Sequence, residues 1–477
     1  MNKTALTKTY TKDIQNSCLN SKKIVLSLAA ISFSASCTHA TLTPEIETYE
    51  ETNRHAKARS GFRSKSSNNE TINNLQTLTK TISGTGNTLV IESSGTIHSN
   101  TGESIYFGNA NISSFANSGT IKSKQGAGVN ISQGTSIENF NNTGTIEGKK
   151  DGIQINTNAN VKTLKNTGTI QGFSAPIRSS GGTIETLTNE GTMKGESIGI
   201  YMSGGLVKTL INKGTINQNN SATWAAGIKL QNNSTIENII NTGSIRSNAF
   251  GISVTGGKFG TLTIKDGGMV YGKYSAIGVG QSQTLGDLYI DGSSSKIYGE
   301  ENGIALDANS RTQKIELKNG GIIKGKIHGI RLDNGASLSG EMILSGEGSR
   351  VEGGSGAGIL NRSGKIEGSI TIKDGATVTA TSNHAIANYR SGSITGGITV
   401  SGKNTKLQGN ISNIGNASIG SDIKIEDGAK VEGGLVNQDN GVISGSITVD
   451  KDSKLDSITN TSTSSTGISG SITNNSD

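Results

Sequence analysis

The chain is poor in the residues that build a large close-packed core. Of its 477 residues only 31% are hydrophobic and 4% aromatic, with one tryptophan, two prolines and two cysteines. Globular domains usually contain about 45–50% apolar residues, which argues against a series of ordinary α/β enzyme domains. The net charge of +7 is small for this length, so charge-driven disorder is a poor explanation as well. A chain with 67 glycines is then either low-complexity coil or a β-repeat structure, and periodicity distinguishes the two.

The first 40 residues have the pattern of a secretory signal peptide. A lysine-rich stretch is followed by an uncharged apolar run from Ile24 to Phe33 and by small residues up to Ala40. This order is typical of secretory signals, and the run is too short for a membrane span of about 20 residues. We therefore predict a signal peptide over 1–40. Lipoprotein processing at Cys37 is one alternative, and a buried core helix is another.

Removal of this segment changes the bulk properties of the mature chain. The segment holds five lysines and one aspartate, so its loss lowers the net charge from +7 to +3. The basic character belongs to the signal, and we expect no nucleic-acid partner. Both cysteines, Cys18 and Cys37, are in this segment, so we expect the mature chain to have no cysteine, or one acylated at its terminus, and neither a disulfide nor a cysteine-ligated metal. Residues 41–70 are charged and without pattern, and we interpret them as a solvated linker.

From about residue 70 onward a five-residue motif recurs, with the form Asn-x-Gly-Thr-Ile and a step of 23–29 residues. The motif asparagines are Asn117, Asn142, Asn166, Asn189, Asn212 and Asn241. The motif glycines are Gly119, Gly144, Gly168, Gly191, Gly214 and Gly243. A second form, with Asp-Gly or Asn-Gly in place of the motif, continues the same rhythm between residues 265 and 431. The repetition predicts about fifteen structural repeats.

Each repeat contains three short stretches in which apolar and polar residues alternate. A period of two indicates strands with one buried face. Three strands per repeat predict an all-β fold, a right-handed parallel β-helix over 71–477, because stacking turns each inward isoleucine into a ladder. We expect glycine to supply positive φ at the corners, and asparagine amides to bond to a stacked neighbour or to the turn backbone. Flexible coil is the alternative, but it does not explain the constant spacing of isoleucine.

The basic signal region followed by Asn-x-Gly-Thr-Ile and Asp-Gly turns resembles the β-helical passenger region of type Va bacterial autotransporters. The resemblance covers residues 70–477 and implies a secreted or surface-bound adhesin or toxin. Such proteins carry a C-terminal outer-membrane translocator barrel, whose alternating strands and aromatic girdles are not found in this sequence. The resemblance therefore implies a truncated or frame-interrupted passenger, or a translocator barrel on another chain.

One pair of carboxylates has a spacing suited to catalysis. Asp307 and Asp333 each follow Ile-x-Leu in consecutive repeats, with Asn361 at a similar place in the next repeat. Stacking would bring the two carboxyls near the separation of about 5–5.5 Å used by retaining glycosidases. Aspartate at a strand end also caps a turn, and we expect no supporting cluster of Arg, Tyr and Asp on that face. We therefore interpret both as turn residues and predict that the protein is not an enzyme.

The histidines and the single tryptophan indicate no firmer site. His328 and His384 occupy equivalent places two repeats apart, a separation of about 9.6 Å that one zinc ion does not bridge. We expect them to be turn residues, and we expect no metal and no cofactor. Trp224 lies in an insertion at 218–226, which lengthens one repeat to 29 residues. We favour packing of this ring on the repeat over a role as a ligand anchor.

These features predict an exported passenger, on the cell surface or secreted, that acts as an adhesin or virulence-type binding protein. Its partner would be a glycan or protein receptor on a host cell or outside cells. A carbohydrate-active lyase or hydrolase that uses Asp307 and Asp333 is one alternative, and a structural surface rod is the other. If the chain is produced by itself, without a translocator barrel, we expect it to remain in the periplasm or to be tethered by a lipid on Cys37, and fusion to a barrel should bring it to the cell surface.

Overall fold

The alternating stretches of the repeat stack on one another along the described chain. A computed structural model describes residues 69–476, which lie within the compact unit Ser60–Asp477. This part is an all-β solenoid of about 16 turns, without a helix among the described residues. The expected fold class is confirmed. The signal peptide predicted at 1–40, including Cys37, and all but the last two residues of the 41–70 linker lie outside the described residues.

Each turn contributes a strand to each of three parallel sheets. Sheet 1 contains the stretch that ends at the motif asparagine, such as Asn160–Asn166. Sheet 2 contains the Gly-Thr-Ile stretch, such as Thr169–Gly172, and sheet 3 contains the Gly-Ile-x-Ile stretch, such as Asp151–Asn156. Strands of one sheet pair in register one turn apart, for example Ile146 with Ile170.

The strands divide among the three sheets as follows. Sheet 1 comprises Asn69–Ile72, Ser136–Asn142, Asn160–Asn166, Thr183–Asn189, Leu206–Asn212, Ser234–Asn241, Gly257–Ile264, Thr284–Asp291, Arg311–Thr312, Ile315–Lys318, Ser337–Leu338, Met342–Ser345, Lys365–Ile366, Ile370–Lys373, Ser393–Ile394, Ile398–Ser401, Ser418–Ile419, Ile423–Glu426, Val442–Ile443, Ile447–Val449 and Ile472–Asn474. Sheet 2 comprises Leu75–Gln76, Thr96–Ser99, Thr120–Ser123, Thr145–Gly148, Thr169–Gly172, Thr192–Gly195, Thr215–Gln218, Ser244–Ser247, Met269–Gly272, Lys296–Gly299, Ile322–Gly325 and Arg350–Gly353. Sheet 3 comprises Val129–Ile131, Asp151–Asn156, Ala175–Ser180, Ile198–Ser203, Ala226–Gln231, Phe250–Val254, Ser275–Val279, Asn302–Leu306, His328–Asp333 and Ile359–Arg362. Longer strands that belong to two sheets are Lys80–Ile91 and Ile105–Asn117 (sheets 3 and 1), and Thr377–Tyr389, Lys406–Ile414, Lys430–Asp439 and Lys454–Ser462 (sheets 2 and 3).

The inward residues form continuous apolar ladders. On sheet 2, Ile146 and Ile170 have no exposed surface, whereas the outward neighbour Thr169 is only partly covered. In the early turns Phe115 and Phe140 pack edge to face with ring centroids 4.6 Å apart. Full burial of one such side chain stabilises the fold by about 1.5–3 kcal/mol. The core is thin, but it is repeated in every turn.

Six buried asparagines stack at the corner between sheets 1 and 2. The stack consists of Asn117, Asn142, Asn166, Asn189, Asn212 and Asn241. The Nδ2 of each of the first five donates a hydrogen bond of 2.7–2.8 Å to the Oδ1 of the asparagine one turn later. The amides also donate to turn carbonyls, as Asn166 does to the oxygen of Gly168 at 3.2 Å. Stacking therefore satisfies side chains that would otherwise be buried without partners.

The hydrogen bonds of this ladder all point the same way, so its two ends differ. Asn117, the first member, has no donor for its Oδ1 among the described residues. Asn241, the last member, has no asparagine acceptor within residues 69–476 and donates only to the backbone oxygens of Gly243 and Met269, at 3.2 and 3.1 Å. The ladder stops there because Ile264 occupies the aligned position in the next turn.

A second asparagine ladder lies at the corner between sheets 3 and 1, and it was not predicted from the sequence. Its members are Asn361, Asn388, Asn413, Asn437 and Asn460, linked by hydrogen bonds of 2.8–2.9 Å. As in the first ladder, the Oδ1 of the first member, Asn361, has no donor among the described residues. The later turns are therefore stabilised at a different corner from the earlier ones.

The motif glycines are required by space and not by backbone conformation. None of the six has a positive φ. A Cβ on Gly168 would lie 2.1 Å from the carbonyl oxygen of Gly144 in the preceding turn, and the other motif glycines have the same short approach. The expectation that glycine supplies positive φ at this corner is therefore wrong. The backbones of successive turns lie too close here for any side chain.

Positive φ occurs instead in the second form of the turn. Asp374 and Gly375 have φ of 58° and 86°, and Asp427 and Gly428 have 56° and 79°. Two consecutive residues with positive φ define a type I′ turn, which favours Asp-Gly and Asn-Gly. The replacement of the Asn-x-Gly motif by Asp-Gly along the sequence is thus a change in the type of turn at the corner between sheets 1 and 2.

Candidate functional site

The two aspartates singled out from the sequence lie one above the other at the outer edge of sheet 3. Asp307 follows the strand Asn302–Leu306, and Asp333 ends the strand His328–Asp333. Because Leu306 pairs with the residue before Asp333, the two aspartates occupy the same position in consecutive turns. Asp333 is 5% exposed, whereas Asp307 is open to solvent.

Two arginines hold these carboxylates. Arg331 contacts both, with its Nη2 2.9 Å from Asp307 Oδ1 and its Nε 3.2 Å from Asp333 Oδ2. Arg362, from the following turn, donates two hydrogen bonds to Asp333, from Nε at 2.6 Å and from Nη2 at 2.8 Å. This paired geometry is the strongest form of arginine–carboxylate contact. Asp333 is therefore fixed as a buried, paired carboxylate.

Two expectations about this cluster are corrected. Asn361 does not follow Asp333 in the stack, because it pairs with Leu332 and points inward as the first member of the second asparagine ladder. Arg362 takes the aligned place above Asp333. The face also carries Arg331 and Arg362, so the expectation that it has no supporting arginines is wrong. The error was a register shift of one residue, which moves a side chain to the opposite face of a strand.

Two groups of the cluster, Asp307 and His328, have shifted pKa values. Partial burial raises the pKa of Asp307, an effect opposed by Arg331 and reinforced by the Asp333 carboxylate. Nearby, burial and the positive charge of Arg331 lower the pKa of His328 from 6.5 to about 4. The neutral His328 ring accepts a hydrogen bond at Nδ1 from the Ala357 amide, 2.9 Å away. Asp307 is then the one acidic group of the cluster that a solvent-borne molecule can reach.

The other predicted site residues are separate from this cluster. His384 lies two turns beyond His328 and its Nδ1 is 2.9 Å from the Ser412 hydroxyl. Within residues 69–476, no group of three or more His, Cys, Asp or Glu side chains has the arrangement of a metal site.

A second buried ion pair lies earlier on sheet 3, where Arg178 Nε is 3.1 Å from Asp151 Oδ2. Burial raises the pKa of Asp151, and Arg178 opposes this.

The insertion that carries Trp224 is a loop between sheets 2 and 3. Trp224 is 51% exposed, and its carbonyl oxygen accepts a hydrogen bond of 2.7 Å from the buried Lys229. The ammonium of Lys229 also lies 5.8 Å from the centre of the indole ring. Burial lowers the pKa of Lys229. The loop is also held by the Tyr274 hydroxyl, which donates a hydrogen bond of 3.4 Å to the backbone oxygen of Ser221.

An aromatic strip, which we define as Arg246, Tyr271 and Tyr298, lies on the outward face of sheet 2 beside this loop. The three residues occupy aligned positions in consecutive turns. The guanidinium carbon of Arg246 is 4.9 Å from the ring centre of Tyr271, and the two tyrosine rings are 5.7 Å apart. No feature of the repeat motif predicts this strip, because it depends on which outward residues become neighbours.

Comparison with known proteins identifies no relative of this chain. No family model matches it, and neither a curated protein nor a solved structure does so. A search of the described residues for a helix long and apolar enough to cross a membrane finds none. Function is therefore inferred from the solenoid and its surface.

Proposed function

We propose that the protein is exported and forms a β-helical rod at the cell surface or outside the cell, in the manner of an autotransporter passenger. The observation that carries the proposal is a solenoid of about 16 turns that follows a segment with a signal-peptide pattern. Each turn of a solenoid packs only on its neighbours, so the fold forms a long surface without a bulky core. Such a rod suits a protein that presents contact sites away from the membrane.

The proposed role of the rod is to bind a receptor through its outer faces. Single exposed apolar residues on a soluble protein need no functional reason. Here, however, Trp224 and the aromatic strip occur within a few turns of one another, and both are associated with cationic side chains. Aromatic residues and arginine are the residue types most enriched at binding sites. Their grouping supports a binding role over that of an inert spacer.

Export is tested in the native cells with an epitope tag at a loop of the solenoid. We expect the tagged chain outside the cytoplasm, sensitive to protease added to intact cells, and its receptor-dependent adhesion to be lost when the chain is deleted. A variant without residues 1–40 is the control and should remain in the cytoplasm. Retention of the full chain in the cytoplasm would overturn the proposal. If the chain is exported but its deletion leaves adhesion unchanged, the structural rod is the better description.

A second candidate function, carbohydrate cleavage, has one observation in its favour. Asp307 is open to solvent, has a raised pKa and is bridged by Arg331 to a second carboxylate. Against it, Asp333 is held by Arg362 in two hydrogen bonds, which leaves little freedom for a base or nucleophile. Release of reducing sugar from a polysaccharide panel tests this candidate. Activity that Asp307→Asn abolishes and Asp291→Asn preserves would establish the enzyme and displace the binding proposal.

A further inference from the structure

The first described turn of the solenoid has charged residues at inward positions. Glu70 of sheet 1 pairs in register with the buried Leu89 of the next turn. Lys80 of sheet 3 pairs likewise with the buried Ile105. The side chains of Glu70 and Lys80, 26% and 13% exposed, form an ion pair with each other. An ion pair therefore occupies the level at which the inward ladders would otherwise carry leucine and isoleucine.

The inward columns that begin at this turn are otherwise apolar, where a column is the set of residues at one aligned position in successive turns. Gln76 of sheet 2 also begins such a column, because it pairs with the buried Ile97. From the second turn to the last described one, every member of the three columns is Ile, Leu, Val, Met or Phe. Polar side chains in these columns are thus confined to the first turn, one in each sheet.

The strands of the first turn present an open edge. Within the described residues, the first stretch of each sheet pairs only with the turn that follows it. Unpaired backbone groups on the other side can pair with another chain, and charged residues at inward positions are one means by which proteins block such pairing. The other two inward residues of this turn, Ile72 and Ile82, are buried, so they offer little apolar surface to a partner.

The final described turn has apolar residues at the same inward positions. They are Leu455 in sheet 2, Ile458 in sheet 3 and Ile472 in sheet 1. Ile458 is 36% and Ile472 52% exposed, whereas their aligned partners one turn earlier have no exposed surface. The Nδ2 of Asn460, the last member of the second asparagine ladder, has no acceptor within residues 69–476. This end therefore presents apolar side chains and a free hydrogen-bond donor to any turn that stacks on it.

A second copy placed head to tail would bring these two ends together in register. Because the columns run through the whole solenoid, Lys80 of one copy would lie on Ile458 of the other. Glu70 would likewise lie on Ile472. The contact would remove the ion pair from water and place it against apolar side chains, and the cost of removing two charges from water often exceeds their mutual attraction. Head-to-tail stacking is thus opposed by the first turn, although the final turn favours it.

We propose that Glu70, Gln76 and Lys80 form a polar cap, which prevents the final turn of a second copy from stacking on the first turn of the protein. Head-to-tail contacts of this kind do not close, so without the cap they would continue into a filament. Blocking one end is sufficient to stop growth, which explains why the final turn can remain apolar. This role of the cap is separate from the proposed binding function.

The test compares the purified full chain with the double variant Glu70→Leu and Lys80→Ile, whose new side chains match the apolar columns. Sedimentation velocity over a range of concentrations measures particle size, and electron microscopy detects filaments. We expect the wild-type chain to form no species that grow with concentration, and the double variant to form filaments. Added wild-type chain should shorten these filaments, because it can join by its final turn while its own cap stops further addition. Ile458→Lys and Ile472→Lys, introduced into the double variant, should abolish growth.

Glu138→Leu with Lys162→Ile is the matched control. These residues form an ion pair of 2.8 Å on the outward face of sheet 1 and are 53% and 57% exposed, so the control loses the same charges without a change at either end. It should stay as dispersed as the wild type, and circular dichroism should confirm that every variant is folded. If the double variant of the cap does not fold, Glu70→Met with Lys80→Met takes its place, since the flexible methionine side chain adapts to both columns. Growth of the wild-type chain, no growth of a folded cap variant, equal growth of the control, or growth that persists after the two lysine substitutions would each overturn the inference.

Discussion

The close approach of successive turns at the motif glycines makes a sharp prediction for Gly168→Ala. A Cβ at this position would lie 2.1 Å from the carbonyl oxygen of Gly144, and 2.5 and 2.6 Å from the carbonyl oxygen and carbon of Thr143. All three are backbone atoms, which no change of rotamer can move aside. The two turns must therefore separate locally. The oxygen of Gly144 also accepts a hydrogen bond of 2.9 Å from the Thr169 amide, and separation stretches it.

The expected cost of Gly168→Ala follows from these contacts. Forcing an extra carbon into a well-packed site costs about 1–3 kcal/mol. Loss of one buried hydrogen bond that leaves its partners unsatisfied adds about 1–3 kcal/mol. The lower entropy of alanine in the unfolded chain offsets about 0.4–1 kcal/mol. These ranges combine to an expected net loss of about 1–5.6 kcal/mol in the free energy of unfolding, with a midpoint near 3 kcal/mol.

Gly420→Ala is the matched control for this prediction. Gly420 also has no positive φ, but the nearest atoms to its added Cβ, Ile394 O and Thr395 Cα, are 3.8 Å away. The control should therefore be neutral or stabilising by up to about 1 kcal/mol. Urea unfolding followed by circular dichroism gives both values, and hydrogen exchange of amides in residues 142–172 shows whether the loss is local. Equal stability of the two variants would refute the argument from close approach.

The remaining predictions concern the core, the ladder, pH and shape. Ile170→Asp should lower the melting temperature far more than Thr169→Asp, because an unpaired charge in the inward ladder is costly, and equal shifts would contradict the register. Asn166→Ala should cost about 2–4 kcal/mol because Asn142 Nδ2 loses one of its buried acceptors and Asn189 Oδ1 loses its donor, whereas the exposed Asn141→Ala should cost under about 0.5 kcal/mol in the same urea assay. The pKa of His328 in the folded state is about 4, below its ordinary 6.5, so its contribution to stability is full above pH 6.5 and declines as pH falls towards 4. His328→Gln should flatten this dependence in unfolding curves measured from pH 4 to 7. For the solenoid, residues 69–476, circular dichroism should show β-structure and small-angle scattering a rod about 75 Å long, and a compact sphere would refute the solenoid.

The fold was predictable because each turn repeats the same physical requirement. An inward isoleucine such as Ile146 or Ile170 must meet another one a turn later, and this fixes a spacing that the sequence displays directly. The second asparagine ladder was harder to find. Its first four members precede a Gly-x-Ile or Ala-x-Ile triplet by three or four residues, so the variable turn between them conceals the alignment.

The surface was much less predictable than the core. Outward residues have no shared requirement, so nothing in the sequence marks Arg362 as the partner of Asp333 or Arg246 as the neighbour of Tyr271. Such pairs depend on the register between turns to within one residue. A sequence pattern gives that register only where the repeat is regular. Asn361 was misplaced because its turn departs from the regular repeat.

The irregular turns are also where the candidate sites lie. The first asparagine ladder ends at Asn241 and the second begins at Asn361. Between them lie the aromatic strip and the carboxylates bridged by Arg331. The insertion that carries Trp224 lies in the sequence just before Asn241. A strictly repeated turn presents the same side chains at every level, so it can build a rod but not a distinct site. Departure from the repeat gives neighbouring turns different outward residues. The stretch between the two ladders is therefore the part of this rod best suited to recognise a partner, and the ladders on either side hold it in register.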